Sequence, residues 1–179
     1  RESIGRYLRD FRGMSVRPEQ IIIGAGTEYL YGLLVQLLGN DKIYGVENPG
    51  YRKLEHIYRS FRAPCQWISM DEAGVCVSVL EEKAVDIVHI TPSHQYPTGI
   101  VMPISRRYEL LGWASRKEGR YIIEDDYDSE LRLSGQPIPT LQSIDLSEKV
   151  IYMNTFTKTL CSTVRISYMI LPPRLLVRF

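Results

Sequence analysis

Histidine and cysteine are both scarce in this 179-residue sequence, at three residues each. His56, His89 and His94 show no spacing that would gather them with Cys65, Cys76 and Cys161 into a zinc site. An odd number of thiols without a framework pattern points to reduced cysteines rather than disulfides. Long apolar runs are missing as well. None approaches the roughly 20 residues needed to cross a bilayer, and no basic segment followed by an apolar one opens the chain. Neither sign of charge dominates: 22 Lys and Arg against 21 Asp and Glu leave a formal net charge of +1. That balance offers no electrostatic handle for nucleic acid or for a membrane surface. A cytoplasmic globular domain with its own core is the expectation.

What is present is an alternation. Apolar runs of strand length (20–23, 42–46, 63–68, 85–91, 121–124, 150–154 and 166–171) alternate with stretches of helical period. Leu30, Leu33, Leu34, Leu37 and Leu38 mark one helix face, Tyr51, Leu54, Ile57, Tyr58 and Phe61 another, and 103–117 reads as a third helix. This pattern predicts a doubly wound α/β fold with a mainly parallel sheet flanked by helices. Both ends read as cut from something longer. Ile4, Tyr7, Leu8 and Phe11 already repeat at helical spacing, and 171–179 reads as a helix that stops as it starts.

In such sheets ligands sit beyond the carboxyl ends of the strands, where the unusual segments of this sequence fall. Gly24-Ala25-Gly26-Thr27 follows the first strand and opens a helix. It suits a phosphate on free backbone N–H groups or is simply a tight turn; it is neither a P-loop nor a full dinucleotide fingerprint. Tyr51, after Asn48-Pro49-Gly50, could stack on a planar heterocycle or pack on the core. Glu124, Asp125, Asp126 and Asp128 place four carboxylates within five residues. A metal site, a solvated loop, or one buried carboxylate that keeps a pyridine nitrogen protonated are the three readings. Tyr127 offers a phenol to a cofactor oxygen or is an ordinary buried tyrosine. The segment 92–99 is a rigid loop with a candidate cis bond at Tyr96-Pro97 and with His94 as a base or as a structural hydrogen-bonding group. Lys158 lies in Thr155-Phe156-Thr157-Lys158 with Arg165 seven residues on. It is either a strand-end lysine or one placed to form a Schiff base with an aldehyde cofactor beside phosphate-binding groups.

Four strings carry a family resemblance: Val46-Glu47-Asn48-Pro49-Gly50-Tyr51, Thr91-Pro92-Ser93-His94-Gln95-Tyr96-Pro97-Thr98-Gly99, the run 122–130 from Ile122 to Glu130, and the run from Thr155 to Leu160. Together they resemble the fold-type-I, pyridoxal-phosphate-dependent aminotransferases, and within them the aminotransferase-like domain of the MocR/GabR group of GntR-family bacterial transcription regulators. Gly24–Thr27 and Arg165–Met169 look most like the GabR branch, which responds to γ-aminobutyrate.

The resemblance implies pyridoxal 5'-phosphate as cofactor, Lys158 as its Schiff-base lysine, Asp125 on the pyridine nitrogen, Tyr127 near the phenolic oxygen and Tyr51 stacked on the ring. It puts Gly26, Thr27, Thr155, Thr157 and Arg165 around the phosphate. It further implies a sensor that forms an external aldimine with a small amino compound, γ-aminobutyrate or an amino acid. Homodimers are expected, with DNA bound only through a winged helix-turn-helix outside this chain and with a C-terminal small domain also outside it. A true aminotransferase is the alternative. The sequence departs from the enzymes in carrying Tyr96 where many have Asn, and in separating Asp125 from Tyr127 by two positions rather than three, which leaves Asp126 as a rival. Side-chain alternation turns Asp126 away if Asp125 faces the site. A Pro-Gly-type turn usual between the lysine and the arginine is replaced here by a run that includes Cys161-Ser162-Thr163.

Overall fold

The computed structural model describes residues 1–128, 138–156, 163, 165–177 and 179. Eight strands form one sheet: β1 (Ile21–Gly24), β2 (Tyr44–Asn48), β3 (Cys65–Asp71), β4 (Gly74–Val75), β5 (Ile87–Ile90), β6 (Tyr121–Asp125), β7 (Val150–Thr155) and β8 (Ser167–Ile170). Their order across the sheet is β1-β8-β7-β6-β5-β2-β3-β4. The five central strands β7, β6, β5, β2 and β3 are mutually parallel; β8 and β4 run against their neighbours. Parallel neighbours need helical crossovers that cover both faces, so β5, β6 and β7 are buried at every position. This is the doubly wound, mainly parallel sheet that the alternation predicts.

Side-chain alternation distributes the core over two faces. On one, Ile123, Ile151 and Met153 meet Leu30, Leu34 and Leu38 of helix α2 (Thr27–Leu38) and Leu54 and Tyr58 of α3 (Arg52–Ser60). On the other, Ile122, Val88 and Val150 pack on Leu80 of α4 (Val77–Glu82), Leu110 and Trp113 of α5 (Ile104–Ser115) and Leu141 of α6 (Leu141–Ile144). A third cluster seats Leu8 of α1 (Glu2–Arg12) on Tyr152, Tyr168 and Ile170. Helix α7 (Pro173–Leu176) packs Leu175 on the first cluster.

The sequence reading omits three elements, β4, α4 and α6. A two-residue strand and a six-residue helix hold no period to read. The four-residue α6 exists through its amino end: Thr140 Oγ1 accepts from Ser143 N at 3.0 Å, and Glu124 accepts from Leu141 N and Gln142 N at 2.9 and 3.0 Å. Both Tyr96-Pro97, as anticipated, and Asn48-Pro49, which was not, are cis.

Candidate functional site

The carboxyl ends of β1, β2, β5, β6 and β7 share one edge of the sheet, and β8 starts there because it runs antiparallel. That geometry collects residues distant in sequence around a cavity of about 400 Å³, lined by Gly26, Thr27, Glu28, Tyr31, Tyr51, Tyr96, Asp125, Tyr127, Thr155 and Arg165. The volume lies within the range of small-molecule sites, roughly 300–1,000 Å³. Seven of the nine residues singled out from the sequence line it together. Lys158 and Thr157 lie outside the described residues.

One wall is anionic. Asp125 ends β6 with only 6% of its surface exposed. Its Oδ2 accepts from the Tyr31 hydroxyl at 2.6 Å and faces His89 Nε2 at 3.4 Å, while Oδ1 is buried with no hydrogen-bond partner among the described residues. A buried carboxylate oxygen without a partner is costly. Placed in a pocket wall, it is an acceptor waiting for a donor. The pyridinium N–H of pyridoxal phosphate is such a donor, so the residues present fit that cofactor at this end.

Another part of the lining is cationic and rich in N–H groups. Gly26 caps α2 at φ 100°, a conformation that L side chains avoid. A Cβ there would stand 2.9 Å from Arg165 Nη2, so the glycine also lets the guanidinium approach the helix start. Arg165 itself has φ 50°. Free N–H groups at the amino end of α2, its dipole and the guanidinium together suit a phosphate. The Thr155 hydroxyl accepts from Ser167 Oγ at 2.9 Å and contacts the Ile166 carbonyl at 3.4 Å, which fixes its rotamer in the wall.

Aromatic rings complete the lining. Tyr51 and Tyr96 are both about half exposed and meet edge to face, with centroids 6.0 Å apart at 88°. Tyr96 thus adds a second ring to the lining. Tyr127 stacks on His94, centroids 6.4 Å apart at 14°. Burial first, then the neighbouring charges of Asp128 and Asp125, push its phenol up to about 12. It remains a hydrogen-bond donor through neutral pH.

The acidic cluster resolves into four separate assignments. Glu124 is fully buried, holds the start of α6 and pairs with Arg107 at 3.4 Å. Asp125 alone lines the cavity. Asp126 turns away, as alternation requires, to Arg12 at 2.5 Å and the Tyr152 hydroxyl at 2.7 Å. Asp128 takes His94 Nδ1 at 2.5 Å. Among the described residues no group of three or more His, Cys, Asp or Glu side chains could hold a metal ion. The histidines that show no sequence spacing to the cluster nevertheless reach it in space, His89 at Asp125 and His94 at Asp128. Only the parallel register, which sets His89 beside Ile123 across β5 and β6, reveals the first contact.

Two buried groups were missed from the sequence. Tyr31, one helical turn beyond Thr27, carries no motif of its own in the sequence, yet its hydroxyl reaches Asp125. Glu47 accepts from Thr91 Oγ1 at 2.6 Å and from Gln95 Nε2 at 3.2 Å, and Gln95 also holds the Pro49 carbonyl. It thereby ties the loop that carries Tyr51 to the loop that carries Tyr96.

A mainly parallel eight-stranded sheet of this order, with this pocket at its carboxyl edge, is the fold of the fold-type-I pyridoxal-phosphate-dependent transferases. Among solved structures, an archaeal alanine:glyoxylate aminotransferase superposes with a TM-score of 0.88 at 28% identity, over 99% of this chain and 46% of that one. A Pyrococcus horikoshii kynurenine aminotransferase, solved in complex with PMP, does so with 0.87 at 30%, over 99% and 46%. The curated relatives include HTH-type transcription regulators of the MocR and PdxR kind, and also an aromatic-amino-acid aminotransferase of Thermococcus litoralis, 29% identical over 97% of this chain and 44% of its own length. YdeL of Bacillus subtilis (strain 168), an uncharacterized HTH-type regulator, is 44% identical over 98% of this chain and 38% of its own length. The probable rhizopine catabolism regulatory protein MocR of Rhizobium meliloti is 36% identical over 97% and 35%. The chain therefore spans little more than a third of these regulators. No family model matches the sequence.

Proposed function

We propose that this chain is the cofactor-binding, effector-sensing part of a MocR-type transcription regulator, holding pyridoxal 5'-phosphate and responding to a small amino compound. The buried, unpartnered Asp125 Oδ1, in the same cavity as the Gly26–Arg165 cradle, carries the reading. A carboxylate at Asp125 and the Gly26–Arg165 cradle lining one cavity support a molecule that carries both a pyridine and a phosphate. When bound, pyridoxal phosphate supplies an aldehyde that condenses reversibly with amines.

In this reading Asp125 accepts the proton-bearing pyridine nitrogen, and Tyr51 covers a face of the ring. Tyr127 donates toward the phenolic oxygen. Gly26, Thr27, Thr155, Thr157 and Arg165 receive the phosphate. Lys158, three positions beyond the wall residue Thr155, supplies the amine that anchors the aldehyde. The likeness of Gly24–Thr27 and Arg165–Met169 to the GabR branch supports an amino acid of the γ-aminobutyrate kind as effector. DNA contact belongs to a helix-turn-helix module outside these residues, and the parent protein is a cytoplasmic homodimer with a further small domain. Among the described residues no helix is long and apolar enough to cross a membrane.

The second reading is a working aminotransferase, favoured by the solved aminotransferases at 28–30% identity. The two separate in one experiment. The purified protein is loaded with pyridoxal phosphate and screened with amines, and both the absorbance of the bound cofactor and keto-acid product are followed. A spectral response without product supports the sensor. Turnover supports the enzyme, and no cofactor band at all overturns both.

A further inference from the structure

Asp125 has more partners than a carboxylate meeting a cofactor through one oxygen requires. Behind it runs a buried chain of polar groups drawn from three elements. Tyr31 of α2 donates to Oδ2 at 2.6 Å. His89 of β5 faces the same Oδ2 through Nε2 at 3.4 Å, and its Nδ1 stands 2.6 Å from the Tyr58 hydroxyl of α3. Tyr31, His89 and Tyr58 expose 3%, 1% and 0% of their surface. A neutral imidazole with its proton on Nε2 satisfies both of its contacts, donating to Asp125 and accepting from Tyr58. Leucine or phenylalanine at these positions would fill the core without the desolvation of three polar groups. Instead the Tyr31 hydroxyl and His89 Nε2 converge on one carboxylate oxygen, with Tyr58 behind His89.

We propose that Tyr31 and His89 are positioning residues: by occupying Oδ2 they lock the plane of the Asp125 carboxylate so that Oδ1 meets the pyridine nitrogen of bound pyridoxal phosphate. This rests on the cofactor reading above. The torsion that orients a carboxylate is broad and two-fold, so an aspartate without such partners rotates among orientations of similar energy. Fixing it beforehand removes that ordering from the cost of binding. Tyr31 and Thr27, one turn apart on α2, line the same cavity.

The test compares pyridoxal 5'-phosphate with an analogue that has C–H in place of the pyridine nitrogen, each measured by equilibrium dialysis against the purified protein. Tyr31→Phe removes one oxygen and keeps the ring. It is expected to weaken pyridoxal phosphate about tenfold while changing the affinity of the carbon analogue by less than about twofold, because the analogue has no nitrogen for Oδ1 to hold. His89→Leu should show the same split, and His89→Gln, which keeps an N–H donor, should recover part of it. Should Tyr31→Phe fail to fold, Tyr58→Phe, one step further back, is expected to show the split in smaller measure. Equal loss for both molecules would mean that the rings only pack, and overturns the proposal. Failure of the unsubstituted protein to bind either molecule overturns the cofactor reading and this one together. Binding of both by the unsubstituted protein, with no effect of any variant, overturns this one alone.

Discussion

Arg12 and Asp126 form a buried ion pair, 2.5 Å between Nη2 and Oδ2, that fastens the first helix to the residue following the pocket aspartate. Their side chains are 4% and 0% exposed, and Tyr152 adds a hydroxyl to the same oxygen at 2.7 Å. Breaking such a pair strands an uncompensated charge in the core. Arg12→Ala is therefore expected to lower stability by about 3–5 kcal/mol, read as a drop in the urea midpoint. A loss under about 1 kcal/mol would mean that water reaches Asp126 once the arginine is gone.

Lys158→Ala is expected to abolish the absorbance band of bound pyridoxal phosphate. Lys149→Ala serves as the control. Its ammonium holds the carbonyls of Lys117 and Glu118 at 3.0 and 2.6 Å, remote in role from the cavity. That variant should lose stability and keep the band. A band that survives Lys158→Ala would reassign the anchoring lysine.

Gly26→Ala attacks the phosphate cradle twice, through a φ of 100° and through a Cβ 2.9 Å from the Arg165 guanidinium. The backbone strain costs about 1–3 kcal/mol of stability. Affinity for pyridoxal 5'-phosphate should fall about tenfold or more relative to that for pyridoxal, which has no phosphate to lose. Equal loss for both would remove Gly26 and Arg165 from the phosphate site.

Two buried carboxyls give the fold a pH dependence of defined sign. Burial pushes Glu47 up to about 7, against the opposing hydrogen bonds from Thr91 and Gln95. Burial and then the Asp126 charge push Glu124 to about 7, against Arg107. An acid whose folded pKa exceeds its unfolded value binds the extra proton in the native state. Its contribution is fully present below about pH 4.5 and is lost as pH rises through about 7. Stability is expected to decline across that window, by at most about 3 kcal/mol per group. Glu47→Gln, which keeps an acceptor toward Thr91, should flatten the decline in urea midpoints measured from pH 4.5 to 7.5. An unchanged slope would show that Glu47 does not titrate there.

Much of this was legible in the sequence for identifiable reasons. Strands such as Tyr121–Asp125 and Val150–Thr155 are buried on both faces and read as continuous apolar runs. The site motifs sit where chain direction reverses, and Gly, Pro and Asn mark such turns. The family resemblance pointed to Asp125, and alternation along one strand then turned Asp126 away. What escaped was whatever depends on juxtaposition across strands and helices. Tyr31 looks like one more residue of an apolar helix face until its hydroxyl is placed against β6. His89 looks like a polar residue stranded in a strand until Tyr58 and Asp125 are seen on either side of it. Helix α6, four residues long, has no period to read, and what holds its amino end is a carboxylate 17 residues earlier in the chain.

The run from Glu124 to Asp128 sends neighbouring carboxylates to α6, the cavity, α1 and the loop at 92–99. Residues side by side in sequence therefore answer to partners far away: Asp126 to Arg12, Asp128 to His94, Asp125 to Tyr31. Replacing Asp126 removes the partner of Arg12, 114 positions earlier, rather than a partner of its neighbour Asp125. The dense acidic motif divides its hydrogen bonds and ion pairs among four remote sets of partners, while its members still feel one another's charge, as Glu124 feels Asp126.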